Sequence, residues 1–260
     1  MPRGRYSLHD PHDHTRLGEE HFHCAPGPSG WRYVAQLTGP DGDHRGSLDL
    51  AIDELGRPIR LEANASSWQV RGAAIDGVTW VRTDPTGAEA TEGNVRAPGF
   101  TGTSPAFLIA TARLLRLTPG APATRVRLVA LTDPVLAPRT VDQAWALLGR
   151  EEHPTDSGPL LVDEYRISAL DTGEVHTVHI AGDVVLSAPR HRARTPGDPA
   201  LRVRGRVTQE GGANRLPPAG RTGAASGDGA TGAAASTGAA YGTGACTCAG
   251  WGRAAATPCC

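Results

Sequence analysis

Apolar side chains recur at every second position through much of the first 189 residues of this 260-residue chain. Trp31, Tyr33, Ala35 and Leu37 alternate with Arg32, Val34 and Gln36. Leu48, Leu50 and Ile52 then oppose Asp49 and Asp53, and Ile59, Leu61 and Ala63 follow after Glu54-Leu55-Gly56-Arg57-Pro58. A period of two is what an extended strand with one buried face requires. The intervening Pro40-Asp41-Gly42 and Asp84-Pro85-Thr86-Gly87 carry the residue types of tight turns. With Trp68-Gln69-Val70-Arg71 and Val78 to Arg82, these segments predict an antiparallel meander of four or five strands.

One helix interrupts the strands. Ser104 has the chemistry of a cap, Pro105 suits the first helical position, and Phe107, Leu108, Ala110, Thr111, Leu114 and Leu115 follow at helical spacing up to Pro119-Gly120. Val126 to Leu131, apolar except for Arg127, predicts a central strand. Val141 to Leu148 predicts a short second helix capped by Thr140, and Val175 to about Leu186 a single long strand after Tyr165, Ile167 and Ala169. The fold class expected is α+β: a curved antiparallel sheet, half-barrel-like, wrapped around one main helix.

The periodic signal ends near Arg190. From there on, 14 Gly and 17 Ala occupy 71 residues with hardly any large apolar side chains, too little to offset chain entropy by burial. We therefore expect residues 190–260 to be a disordered tail, or the product of reading a GC-rich gene out of frame. Residues 1–18, polar and rich in His, are expected to form a loose leader. That leaves one domain, residues 19–189.

Charge narrows the function. The first 189 residues hold 17 Arg against 24 acids, and the tail 9 Arg against 3 acids. A negative domain repels phosphate backbones, so nucleic acid is not an expected partner. No stretch approaches the length of a membrane span, and Met1 to His14 lacks the apolar run of a secretory signal. Only Cys24 of the five cysteines lies before the tail. A cytoplasmic location follows as the expectation.

Reactive constellations are weak. His9, His12, His14, His21, His23 and Cys24 are ligand types for zinc, and His12, His14, His21 and His23 are the metal candidates, but their spacing fits no specific template. His21 and His23 fit the outer face of a strand with Phe22 inward. Gly102-Thr103-Ser104-Pro105-Ala106 is not a nucleophile elbow, and Pro105 lacks the N–H an oxyanion would need. Cys24 has no supporting signature, and Asp49, Asp53, Glu54 and Glu62 read as a solvated sheet face. The aromatic residues Trp31, Tyr33, Trp68 and Trp80 fall on strands and Phe107 on the helix, so all five suit either a core or the walls of an apolar cleft.

The order of parts, Gly30-Trp31 opening the first strand, Trp-x-x-Arg at Trp68 to Arg71, Ser-Pro-x-Phe at Ser104 to Phe107 and a late strand pair, resembles a glycolipid-binding family of uncharacterised bacterial proteins. That family's fold is similar to the lipoprotein carriers, an antiparallel half-barrel wrapped on helices. The resemblance covers Glu19 to Ala188, and departs from the family at His179-Ile180-Ala181-Gly182-Asp183, where an aromatic Tyr-Pro-Gly turn is usual. It implies apolar or glycolipid cargo, no cofactor and no catalysis. The expected function is accordingly non-catalytic binding of an apolar or amphiphilic small molecule by Trp31, Tyr33, Trp68, Trp80 and Phe107. The alternatives are a metal-dependent enzyme built on the N-terminal His/Cys cluster, and a protein-interaction module using exposed strand edges. No residue pattern separates a monomer from a dimer.

Overall fold

The computed structural model describes residues 2–194 apart from 11, 28, 29, 157 and 190. They form one antiparallel sheet around a single helix. In chain order the elements are β1 (Arg3–His9), β2 (Arg16–Gly27), β3 (Gly30–Thr38), β4 (His44–Ile52), β5 (Pro58–Ala65), β6 (Trp68–Ala74), β7 (Val78–Thr83), β8 (Ala90–Val95), β9 (Phe100–Thr101) and α1 (Pro105–Leu115). Then come β10 (Thr124–Thr132), β11 (Ala137–Thr155), β12 (Gly158–Ala169), β13 (Val175–Ala181), β14 (Val184–Ala188) and β15 (His191–Arg194).

The sheet runs β8-β7-β6-β5-β4-β3-β2-β1-β15-β14-β13-β12-β11-β10-β9, every pair antiparallel except β9 with β10. The outermost strands β8 and β9 are consecutive in the chain. Residues 96–99 alone connect them, and the five Cα–Cα steps from Val95 to Phe100 reach no more than about 18 Å, so the sheet has to roll until its two edges face each other. Two contacts cross the seam. The Phe100 ring lies against Gly72 of β6, where a Cβ would come within 2.7 Å of Cζ, and Arg82 Nε–H on β7 donates to the Val135 carbonyl at 2.7 Å.

Rolling makes an inside for the alternation to fill. Trp31, Tyr33 and Ala35 on β3, Leu48, Leu50 and Ile52 on β4, Leu61 and Ala63 on β5 and Val70 on β6 are all buried on the concave face. The intervening Arg32, Asp49 and Arg60 pair on the convex face, Arg32 holding Asp49 through Nε and Nη2 at 2.8 and 2.7 Å. Helix α1 occupies the lumen, which is why Pro105, Ala106, Phe107, Ile109, Ala110, Thr111 and Ala112 are all buried instead of a single stripe. Ser104 caps it in extended geometry, accepting the Ala106 N–H at 3.3 Å, and Arg116 ends it in the left-handed region with φ 47°.

Strand direction sorts the turns. Turns 10–15, 39–43, 66–67, 84–89, 133–136 and 170–174 lie at the end facing the helix N-terminus. The opposite end holds the 53–57 and 182–183 turns, where Gly56 meets Leu114 and Asp183 pairs with Arg113.

Several expectations need correction. The leader is not loose: β1 pairs with β2 from Arg3↔His23 to His9↔Arg16, and Tyr6 is fully buried. Burial of that one ring, stacked on Phe22, holds a segment otherwise polar. β15 lies beyond the boundary expected at 189 and pairs with β1. Residues 141–148 lie in β11 instead of a second helix, with Val141, Trp145 and Leu147 buried; pairing to β10 and β12 on both sides overrides local helix preference. The long strand at 175–186 is a hairpin turning at Gly182, whose φ of 57° supplies the left-handed residue a tight turn needs. β10 is penultimate in the sheet, not central. The expectation of a disordered or out-of-frame tail from residue 190 falls, beyond β15, outside the described residues. Among the described residues no helix is long and apolar enough to cross a membrane.

Candidate functional site

The concave face of β1 to β3 carries an aromatic stack. Tyr6 lies 4.7 Å from Phe22, Phe22 5.4 Å from Tyr33, and Trp31 5.6 Å from Tyr33, with the first two pairs nearly parallel. Tyr33 passes from this stack into a polar centre. Its hydroxyl donates to Glu20 Oε1 at 2.7 Å, and the Ser104 hydroxyl donates to the same oxygen at 2.8 Å. Glu20 is fully buried, and its Oε2 is without a hydrogen-bond partner among the described residues.

Burial raises the Glu20 carboxyl from 4.5 to about 7, against the lowering effect of its two hydroxyl donors. The same desolvation drives the Tyr6 and Tyr33 hydroxyls upward, Tyr33 with the help of Glu20. Glu20 therefore sits at the junction of barrel wall and helix cap, poised to hold or release a proton near neutrality. Nothing in the alternation pointed to it. Glu19-Glu20-His21 reads as a polar run, and only the burial of both Phe22 and Tyr6 on the same face would have flagged a carboxylate among them.

Across the lumen the seam wall is built differently. Trp68 on β6 and Trp80 on β7 share the concave side with Val70 and Val78 but are half-buried. The Arg82 guanidinium lies 3.2 Å from the Trp68 ring centroid. Trp80 rests on Gly93, its partner in register, where a Cβ would come within 2.5 Å of the indole. Its Nε1–H is buried without a hydrogen-bond partner among the described residues, and an unmatched buried donor costs about 1–3 kcal/mol.

The five aromatic residues singled out from sequence thus fall into two sets. Trp31, Tyr33 and Phe107 are core, at most 4% exposed. Trp68 and Trp80 are the pair with surface left to offer. Trp145, also fully buried, was hidden by the helical reading of its segment; it meets Tyr165 edge-on at 5.8 Å.

The metal candidates are dispersed. His12 and His14 are exposed at the β1–β2 turn, while His21 and His23 lie on the convex face of β2 with Phe22 inward. His21 Nε2 is 3.2 Å from Glu19 Oε2. Among the described residues no three His, Cys, Asp or Glu side chains are placed to share an ion. Cys24 points to the concave side, where burial pushes its thiol up to about 11 with further upward pressure from Asp183, the reverse of what a thiolate nucleophile needs. Ser104 spends its hydroxyl on the cap and on Glu20. Asp49 pairs with Arg32, and Asp53 accepts the Leu55 and Arg57 N–H groups at 2.9 and 2.8 Å.

No protein-family model and no curated protein matches the chain. Among solved structures it is similar to a DUF1089 family protein from Pseudomonas aeruginosa, with 16% identity, a TM-score of 0.42, and coverage of 76% of this chain and 91% of that one. It is also similar to a beta-barrel-like protein of domain of unknown function DUF1849 from Brucella abortus, with 12% identity, a TM-score of 0.43, and coverage of 74% and 95%.

Proposed function

We propose that the protein binds an amphiphilic small molecule, a lipid or glycolipid, at the concave face of its barrel, with Trp68 and Trp80 as the contact surface and Trp31, Tyr33 and Phe107 as the apolar floor. The observation that carries this reading is the state of Trp80: half-buried on the concave side, its N–H without a partner, beside a tryptophan already stacked by Arg82. An apolar chain would cover the exposed ring faces, and a hydroxyl-bearing headgroup would accept from the Arg82 guanidinium. Sugar hydroxyls both donate and accept, so the glycolipid resemblance of the sequence and the chemistry of these residues favour the same class of ligand. The reading requires no cofactor and no catalytic residue.

The test is a fluorescence titration of the full-length protein with n-dodecyl maltoside kept below its micelle threshold, alongside mass spectrometry of an organic extract of the protein as purified. Saturable change in tryptophan emission, weakened at least about tenfold by Trp80→Ala with Trp68→Ala, is expected; tenfold corresponds to about 1.4 kcal/mol, a modest share of what a buried indole contact supplies. A titration without saturation, together with an extract free of lipid, overturns the proposal.

A further inference from the structure

A concavity of about 520 Å³ lies at the helix-N-terminal end, away from the aromatic residues, and is lined by histidines from three separate chain segments: His9 at the end of β1, His14 at the β1–β2 turn and His191 at the start of β15. The hydroxyls of Thr177 on β13 and Ser187 on β14 complete its polar lining. We propose that this cavity is an oxyanion site that takes a phosphate or phosphate-ester group.

The lining decides the sign of the ligand. Among the described residues that line the cavity there is no Asp or Glu; His9, His14, Thr177 and Ser187 supply the polar groups, with His191 already engaged by a partner of its own. The nearest acids in sequence, Asp10 and Asp13, are engaged in the turn itself: Asp10 accepts the His12 N–H and Asp13 the Thr15 N–H, each at 2.8 Å. The Asp13 carboxyl is held below its ordinary range first by the Thr15 N–H and hydroxyl, with the adjoining His14 adding to the effect. A metal is a poor fit, since no three ligand side chains converge on one point among the described residues and the cavity far exceeds an ion. A tetrahedral oxyanion has several acceptor oxygens to share among donors spread around a wall.

The turn is shaped to place His14 there. Its φ of 62° is left-handed, a conformation that costs a non-glycine residue on the order of 1 kcal/mol or more, and it is held by its own N–H donating to the Asp10 carbonyl at 3.0 Å. His191 is packed edge-on to Tyr6 at 6.2 Å, so one wall of the cavity is anchored in the aromatic stack. The charged or titratable residues in register with its lining are Arg16 opposite His9, Arg166 opposite Thr177 and His179 opposite Ser187, with His12 in the same turn as His14. Arg16 is paired to Glu19 at 2.8 Å.

Calorimetric titration of the full-length protein with inorganic phosphate at pH 6 and pH 8 tests this. Saturable binding at both pH values is expected. It should be lost in His9→Gln/His14→Gln and weakened in Thr177→Val/Ser187→Ala, which leaves the imidazoles in place should the first variant fold poorly. Sedimentation with vesicles of phosphatidic acid in phosphatidylcholine separates two sources of the group. Variant-sensitive co-sedimentation assigns it to a lipid headgroup, and phosphate binding without co-sedimentation to a soluble ester. Absence of phosphate binding at pH 6, binding indifferent to both variants, or stoichiometric zinc uptake that His9→Gln/His14→Gln abolishes overturns the proposal. The dodecyl maltoside titration is independent of all three.

Discussion

The β1–β3 wall and the β6–β8 wall follow the same alternating pattern, yet one is sealed and the other is not. On the first, Tyr6, Phe22, Tyr33 and Trp31 stack on successive strands and leave almost no exposed surface. On the second, Trp80 lies over Gly93 and Trp68 lies under the Arg82 guanidinium, so neither indole is stacked on another ring. Periodicity determines which side a residue faces. The size of its cross-strand neighbours determines whether that side is filled, and only an incompletely covered wall has surface to give to a ligand.

The largest expected effect breaks or confirms this contrast directly. Tyr33→Ala removes a fully buried ring and two of its stacking partners' contacts, and should lower the free energy of unfolding by about 4 kcal/mol. Trp68→Ala should cost less than half as much, because part of that indole is already in water and one ring face is covered by Arg82 instead of by core. Urea denaturation of both variants measures the gap. Equal losses would mean that the two walls are packed alike and that the seam has nothing to offer.

A smaller effect concerns the carboxylate inside the sealed wall. Glu20 in the folded protein keeps its proton up to about pH 7, whereas the unfolded chain releases it near 4.5. A raised acid favours the folded state only while both states are protonated, so stability should fall as pH rises from 4.5 to 7 and level off above it. The integrated loss is roughly 3 kcal/mol. Glu20→Gln does not titrate in this window while retaining the hydrogen-bonding shape toward Tyr33 and Ser104, so its advantage over the native protein should grow across it. Parallel stability curves for the two proteins between pH 4.5 and 8 would show that Glu20 is ionised in the fold throughout.

The meander and the helix were legible in the sequence because each rests on local rules: alternation between turn residues for β3 to β7, and a Ser-Pro start for α1. What stayed hidden depended on distant partners. Tyr6 sits in a stretch with no apolar period, and its contacts with Phe22 on β2, His191 on β15 and the Val185 N–H on β14 give that stretch a buried face. Trp145 lies in a segment with apolar residues at both 3.6 and 2 spacings, and the choice between them is made by β10 and β12. The candidate site was half legible. The tryptophans announce themselves by type, but nothing in Trp68 or Trp80 says that their neighbours across the strand are too small to cover them, and Glu20 is recognisable only once the barrel has closed around it.

The smallest effect lies at the seam itself. Arg82 joins the two sheet edges, stacking on Trp68 of β6 while its Nε–H reaches the Val135 carbonyl between β10 and β11. An exposed cation–π contact contributes about 0.5–1 kcal/mol, and a hydrogen bond from a charged donor adds a similar amount in water. Arg82→Gln should therefore lower global stability by about 1 kcal/mol, near the limit of a denaturation experiment. Its local signature should be clearer: β8 is an edge strand held only through β7, so its amides should exchange faster in the variant while those of β2 and β3 do not. Uniform acceleration across both walls would mean that the edges are not a separable unit, and the distinction between a sealed wall and an available one would lose its dynamic basis.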